Sequence, residues 1–369
     1  MEIPLSQPDI GQAEIEAVVE VVRSGRLSLG PMADRFERMF AAYCGTAEAV
    51  AVASGTAALH LCLRAVGIEP GAEVITTPFS FVASANVMLY EQARPVFVDI
   101  DPQTWNIDVS RIEPAITPRT RAILPVHVFG QTCPMEQICA IAERHGLVVI
   151  EDACEALGGR YRGRAAGSWG KMAAFGFYPN KQITTGEGGM VTTSDRQLAG
   201  LVRSMRNQGR DEPGQWLIHK RLGYNYRITE MSCALGVTQM RRVGRLLAQR
   251  ARVAELYRQH LSEERRLSMQ RIGPDVEMSW FVMVVRLDDG YSRQQRDRII
   301  TALRGRGIGC GNYFWPIHLQ PFYMERFGYR AGMLPVCEAV AERTIALPFH
   351  ARMTEQQVET VCRQLRSLL

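Results

Sequence analysis

The sequence predicts an α/β protein: a large domain with a mostly parallel sheet between helices, followed by a smaller C-terminal α+β domain. Three observations carry this expectation. Short aliphatic runs such as PVFVDI (95–100) and LVVIED (147–152) alternate with amphipathic stretches. The runs are continuously apolar, as strands covered on both faces must be. Beyond about residue 195 the alternation stops and longer helical patterns take over.

Taken in order, Ala47 to Ala53 reads as a strand and Gly55 to Val66 as a helix. Glu73 to Thr77 (strand), Ser84 to Glu91 (helix), Pro95 to Ile100 (strand) and Arg111 to Ile116 (short helix) follow. Arg121 to Val128 is again a strand, Met135 to His145 a helix with Ile138, Ile141 and Ala142 on one face, and Leu147 to Asp152 a strand. Such βαβ units place ligands beyond the carboxyl ends of the strands. The C-terminal part reads as one long helical stretch from Thr229 to Leu261, a strand from Trp280 to Leu287 and a helix from Ser292 to Arg304. A strand near Gly309, an aromatic loop from Tyr313 to Tyr323 and two terminal helices complete it. The change of pattern divides the chain into 1–245, a large α/β domain that includes the N-terminal arm, and 246–369.

At 369 residues, with 46% hydrophobic and 22% charged residues, the composition is that of an ordinary globular protein and excludes disordered, collagen-like and membrane-spanning classes. The longest nearly apolar run, 49–63, has 15 residues and contains Ser54, Gly55, Thr56 and His60, so it is expected in the core. The opening MEIPLSQPDIG has neither a basic nor an apolar leader region, and a cytoplasmic location is expected. Nine cysteines with no Cys-x-x-Cys pair and no metal-ligand spacing read as reduced thiols, with no metal site. The net charge is +5, and the arginine cluster from Arg241 to Arg252 reads as a solvated or subunit-facing helix surface, so no nucleic-acid partner is expected. Of 43 basic residues only Lys171, Lys181 and Lys220 are lysines. Arginine cannot give up its proton near neutral pH, so an amine nucleophile has three candidates.

Four segments carry chemistry. Ser54-Gly55-Thr56, where strand turns to helix, suits either an anion at a helix N-terminus or a plain cap. Asp152 closes a buried strand, where a carboxylate needs a cation, such as a protonated ring nitrogen, or a turn to cap. Lys181 stands between Phe175-Gly176-Phe177-Tyr178 and the glycine-rich Gly186-Glu187-Gly188-Gly189, a partly desolvated setting that favours the neutral amine; a surface lysine beside a loop is the plainer alternative. Gly223-Tyr224-Asn225-Tyr226-Arg227 is by composition a polar, aromatic loop.

Together, Asp152, the aromatic-x-x-x-Lys-x-x-x-x-Gly-Glu-Gly-Gly run and Gly-Tyr-Asn-Tyr-Arg resemble the nucleotide-sugar aminotransferases of the DegT/DnrJ/StrS type, over roughly residues 4 to 365. These are fold-type I pyridoxal-phosphate (PLP) enzymes. LPVHVFGQ, EDACEALGGRYRG and NKQITTGEGGM are most similar to the perosamine-synthase branch, which aminates C4 of a nucleotide-linked 4-keto-6-deoxyhexose. The resemblance implies transfer of the amino group of L-glutamate to a nucleotide-linked keto-deoxysugar. It implies that Lys181 forms the Schiff base with PLP and that Asp152 pairs with the ring nitrogen. Phe81 would stack on the ring, Gly55 and Thr56 hold the phosphate, and Glu155 lie near the phenolic oxygen. Asn225 would reach the cofactor of the neighbouring subunit, making a homodimer with shared active sites. Tyr313, His318 and Glu187 would contact the substrate.

Three departures stand out. Gly176 replaces a serine that commonly donates to the phosphate, Glu155 replaces Gln or His, and Trp315 replaces smaller residues near the sugar pocket. An aminocyclitol aminotransferase, or a PLP-binding regulator without turnover, is the alternative reading. The related 3-dehydratase chemistry carries His where this chain has Lys181.

Overall fold

The computed structural model describes residues 2–211 and 217–369. Two helices open the chain, α1 (Gln12–Ser24) and α2 (Pro31–Cys44). The alternating part follows as β1 (Glu48–Val52), α3 (Gly55–Ala65), β2 (Glu73–Thr76), α4 (Ala83–Tyr90), β3 (Arg94–Phe97), β4 (Thr120–Leu124), α5 (Met135–Arg144) and β5 (Val148–Asp152). Next come β6 (Arg160–Tyr161), β7 (Arg164–Ala165), β8 (Met172–Gly176), β9 (Gly189–Thr193), α6 (Arg196–Arg206) and α7 (Glu230–Arg241). The rest is α8 (Val243–Leu261), β10 (Leu267–Met269), β11 (Val276–Glu277), β12 (Met283–Leu287), α9 (Arg293–Gly305), α10 (Pro321–Phe327), α11 (Pro335–Arg343), β13 (Thr344–Leu347) and α12 (Glu355–Arg366).

Seven strands form the main sheet in the order β1-β9-β8-β5-β4-β2-β3. The pairs β2–β3, β2–β4, β4–β5 and β5–β8 are parallel, whereas β9 runs antiparallel to both β1 and β8. Six strands therefore point one way, and β9 enters the sheet where the others leave it. The segments after β1, β2, β4, β5 and β8 and the one before β9 all collect at a single edge. Buried aromatic packing fastens α2 to this sheet: the fully buried Phe36 and Phe40 meet Phe175 and Phe177 at centroid distances of 4.9–5.5 Å. Each such ring contributes roughly 1.5–3 kcal/mol by leaving water.

The C-terminal part builds on the antiparallel sheet β10-β12-β13, whose Val285, Leu287, Ile345 and Leu347 pack with Val253, Tyr257, Leu303 and Val358 of α8, α9 and α12. Three details differ from the sequence expectation. The stretch from Thr229 to Leu261 is broken at Arg242 (φ −121°), giving α7 and α8, and we propose this break as the division between the two parts. No strand forms near Gly309; isolated bridges join Ile3 to Ile308 and Gly311 to Ala346 instead. Through the first of these the N-terminal arm lies on the C-terminal part, with Phe349 N donating to Leu5 O at 2.8 Å. In place of a helix over Arg111 to Ile116 there are two single 3₁₀ turns, Val109–Arg111 and Glu113–Ala115.

Among the described residues no helix is long and apolar enough to cross a membrane, no group of side chains could hold a metal ion, and all nine cysteines are unpaired.

Candidate active site

At the edge where the strands end lies a cavity of about 680 Å³. Its floor comes from β1 and α3. Ser54 caps α3, its Oγ accepting from Ala57 N at 3.1 Å, and Ser54, Gly55 and Thr56 line the cavity. A helix start offers partial positive charge and amide donors to an anion. Glycine is needed there: a Cβ on Gly55 would lie 3.0 Å from Cys154 Sγ and 3.2 Å from Gly176 Cα.

Asp152, at the end of β5, is 4% exposed. Its Oδ2 accepts from Ser84 Oγ at 2.6 Å and its Oδ1 from Cys154 N at 3.1 Å, and no basic side chain among the described residues forms an ion pair with it. A buried carboxylate held by two donors and facing a cavity is suited to a cationic partner that the protein itself does not supply. Lys181 follows β8 in the loop before β9. Its Nζ stands 3.6 Å from Glu155 Oε1 and 4.0 Å from the centroid of the Phe281 ring. Glu155 Oε2 accepts from Phe129 N at 2.9 Å, and burial pushes its carboxyl above the usual range, against the pull of the nearby Lys181. Asn180 Oδ1 is buried without a hydrogen-bond partner, and the residue lines the same cavity.

Phe81, Glu187 and Tyr313 also line the cavity; Phe81 is 61% exposed in the single chain, and burial raises the Tyr313 hydroxyl. Of the ten residues singled out in the sequence, eight therefore meet here. Asn225 does not: it is exposed, and its two neighbours in the chain, Tyr224 and Tyr226, stack on each other at 5.0 Å. His318 is not part of the wall either. It is fully buried behind the aromatic loop, its Nε2 3.0 Å from Glu338 Oε1, and burial pushes its pKa down. Trp315 likewise turns away, 4.0 Å beneath the guanidinium of Arg293. Lys171 pairs with Asp195 at 2.8 Å on the surface, and Lys220 is exposed.

A cavity with a helix N-terminus at one end, a buried unpaired carboxylate at the other, an aromatic face and one lysine amine fits a phosphorylated, aldehyde-bearing pyridine. Gly55 and Thr56 would hold its phosphate, Asp152 its ring nitrogen and Phe81 its ring face.

Sequence reading missed Ser84, Phe281 and Arg250. Ser84 sits in the small-residue start of α4, and Phe281 just before β12; neither position carries a local signal. For Arg250 a signal exists. Leu246, Arg250, Val253 and Tyr257 follow a 4-3-4 spacing and are all buried, so Arg250 belongs to the apolar stripe of α8 and not to a solvated face. Arg242 also turns inward, onto Glu14 at 2.9 Å and Asp9 at 3.0 Å.

The sequence matches the family described as the DegT/DnrJ/EryC1/StrS aminotransferase family over residues 8–366. It is 41% identical to the GDP-perosamine synthase of Caulobacter vibrioides, over 100% of this chain and 98% of that protein. Among solved structures, DesV of S. venezuelae in complex with a ketimine intermediate superposes with a TM-score of 0.90 at 36% identity, covering 96% of this chain and 93% of that one. The PLP-form of the putative sugar aminotransferase Spr1654 from Streptococcus pneumoniae superposes with a TM-score of 0.95 at 29% identity, over 100% and 98% of the two chains.

Proposed function

The chain belongs to the DegT/DnrJ/EryC1/StrS aminotransferase family, and from that premise we propose that it transfers the amino group of L-glutamate to a nucleotide-linked 4-keto-6-deoxyhexose. It is a PLP-dependent sugar aminotransferase. The observation that carries the finer reading is the meeting of Lys181, Asp152 and the α3 N-terminus in one cavity, and the likeness to a GDP-perosamine synthase supports the sugar class.

PLP, when bound, supplies an aldehyde that captures amines and a ring that withdraws electrons from the carbon beside them. Asp152, its own orientation fixed by Ser84 and Cys154, would keep a proton on the ring nitrogen. Gly55 and Thr56 would hold the phosphate, and Phe81 would cover the ring. Lys181 Nζ, the lysine amine of the cavity, would hold the aldehyde and, when free, would take up and return the proton of the donor's α-carbon. Glu155 Oε1 faces that amine at 3.6 Å and would help to orient it, its carboxyl raised by burial against the pull of Lys181. Glu187 and Tyr313 face the substrate; His318, buried against Glu338, is left out.

A homodimer with shared sites completes the proposal, with Asn225 reaching the partner subunit's cofactor. Its support is the exposed apolar stripe of α1, where Ile15, Val19 and Val22 are 51%, 37% and 54% exposed in the single chain. A cytoplasmic location is supported by the nine unpaired cysteines.

The test is chemical. Borohydride treatment of the PLP-loaded protein should bleach the cofactor absorbance and fix the label on Lys181. Lys181→Ala should fold and lose transamination with GDP-, UDP- and dTDP-linked 4-keto-6-deoxyhexoses, at least one of which the wild type should aminate. Label on Lys171 or Lys220 would overturn the assignment of the amine, and absence of product from all three sugars would overturn the substrate class.

A further inference from the structure

We propose that Arg250 is a positioning residue for Lys181: its guanidinium clamps the carbonyls of Asn180, Lys181 and Phe281 and so sets where Nζ stands. The inference rests on the reading of Lys181 as the cofactor-bearing amine. Arg250 Nη2 donates to Lys181 O at 2.7 Å and to Asn180 O at 3.2 Å, while Nη1 donates to Phe281 O at 3.1 Å. Among the described residues no other side chain and no backbone amide outside regular structure donates to the carbonyls of Asn180 or Lys181. The lysine's own amide is tied to Tyr178 O at 2.9 Å, so Arg250 supplies the second fixed point of its backbone. The third carbonyl belongs to the residue whose ring lies 4.0 Å beneath Nζ. One guanidinium thus holds both the stem of the amine and the surface it rests on.

Charge and burial make this placement costly unless it does something. Arg250 is 3% exposed, and its hydrogen-bond partners are three carbonyls and no carboxylate. Burial lowers its pKa to about 10, which leaves it protonated at neutral pH. For packing α8 alone an apolar side chain would serve as well or better, since a buried charge repays its desolvation only through well-made hydrogen bonds. A planar fork can meet three carbonyls at once, whereas a lysine ammonium, a point charge with tetrahedral donors, cannot reproduce that pattern.

The experiment uses full-length R250M and R250K loaded with PLP. It compares the rate of borohydride trapping on Lys181, the pH midpoint of the bound cofactor's absorbance band, and kcat and KM for glutamate, with the thermal midpoint of the cofactor-free protein as the structural control. R250M should lose about tenfold to a hundredfold in kcat, as a misplacement on the ångström scale does, and its trapping rate and absorbance midpoint should move. R250K should recover only part of these losses, and it carries the test should R250M fail to fold. A folded variant with wild-type kcat, trapping rate and absorbance midpoint, or one altered only in thermal midpoint, overturns the clamp. Failure of the wild type itself to trap label on Lys181 would overturn the cofactor assignment instead.

Discussion

Gly176 faces Gly55 across the cavity floor, and a Cβ placed on it would have no neighbour nearer than 3.6 Å. A serine therefore fits where this chain has a glycine. If the phosphate sits at the start of α3, the added hydroxyl donates to it, and a hydrogen bond to a charged group is worth about 1.5–3 kcal/mol. Gly176→Ser should thus retain PLP about tenfold or more better on exhaustive dialysis; unchanged retention would move the phosphate elsewhere. At this scale the sequence was most legible where residues were scarce or ended a strand: Lys181 among three lysines, and Asp152 at the end of β5. It was least legible where partners come from far along the chain. Nothing local tells that Ser84 meets an aspartate 68 positions away, or that His318 is withdrawn from the substrate side by Glu338.

Among the elements, α2 shows how a helix end can depend on a distant carboxylate. Gly30 leaves its N-terminus without a side-chain cap, and the buried Glu230 of α7 accepts from Met32 N at 2.8 Å and Ala33 N at 3.0 Å. A Cβ at position 30 would lie 2.3 Å from that carboxylate, so the glycine makes room for it. Glu230→Ala leaves two half-buried amides without their carboxylate and should cost about 2–4 kcal/mol, read as a lower denaturation midpoint at unchanged denaturant slope. From β1 to β5 the strands and the helices α3, α4 and α5 were legible because buried parallel strands are continuously aliphatic, whereas α1 and α2, which precede the alternation, were not read. The strand β9 was not legible either, since Gly-Met-Val-Thr-Thr is neither continuously aliphatic nor clearly alternating. The helix break at Arg242 escaped notice because apolar periodicity resumes on its other side.

For the molecule as a whole, three buried histidines bias stability toward neutral pH. Burial lowers the pKa of His60, His318 and His350, and His350, further opposed by the charges of Arg250 and Arg352, falls to about 4. Below its ordinary value near 6.5 the unfolded chain takes up a proton that the folded chain refuses, so this contribution is present above pH 6.5 and is lost as pH falls toward 4. One histidine gives a slope of up to about 1.4 kcal/mol per pH unit. Denaturation of His350→Leu between pH 6.5 and 4 should show a flatter profile than wild type; equal slopes would mean that the histidine is protonated in the folded state.

The distribution of the three lysines has a practical consequence. Two of them stand on the exterior, while Lys181 sits 15% exposed inside the cavity. A resin or dye bearing an activated ester meets few other handles on the arginine-coated exterior. It would tether the molecule through those two points and leave the occupied pocket untouched, whereas the emptied pocket would offer a third acylation target, so the yield of labelled amine becomes a gauge of cofactor loading.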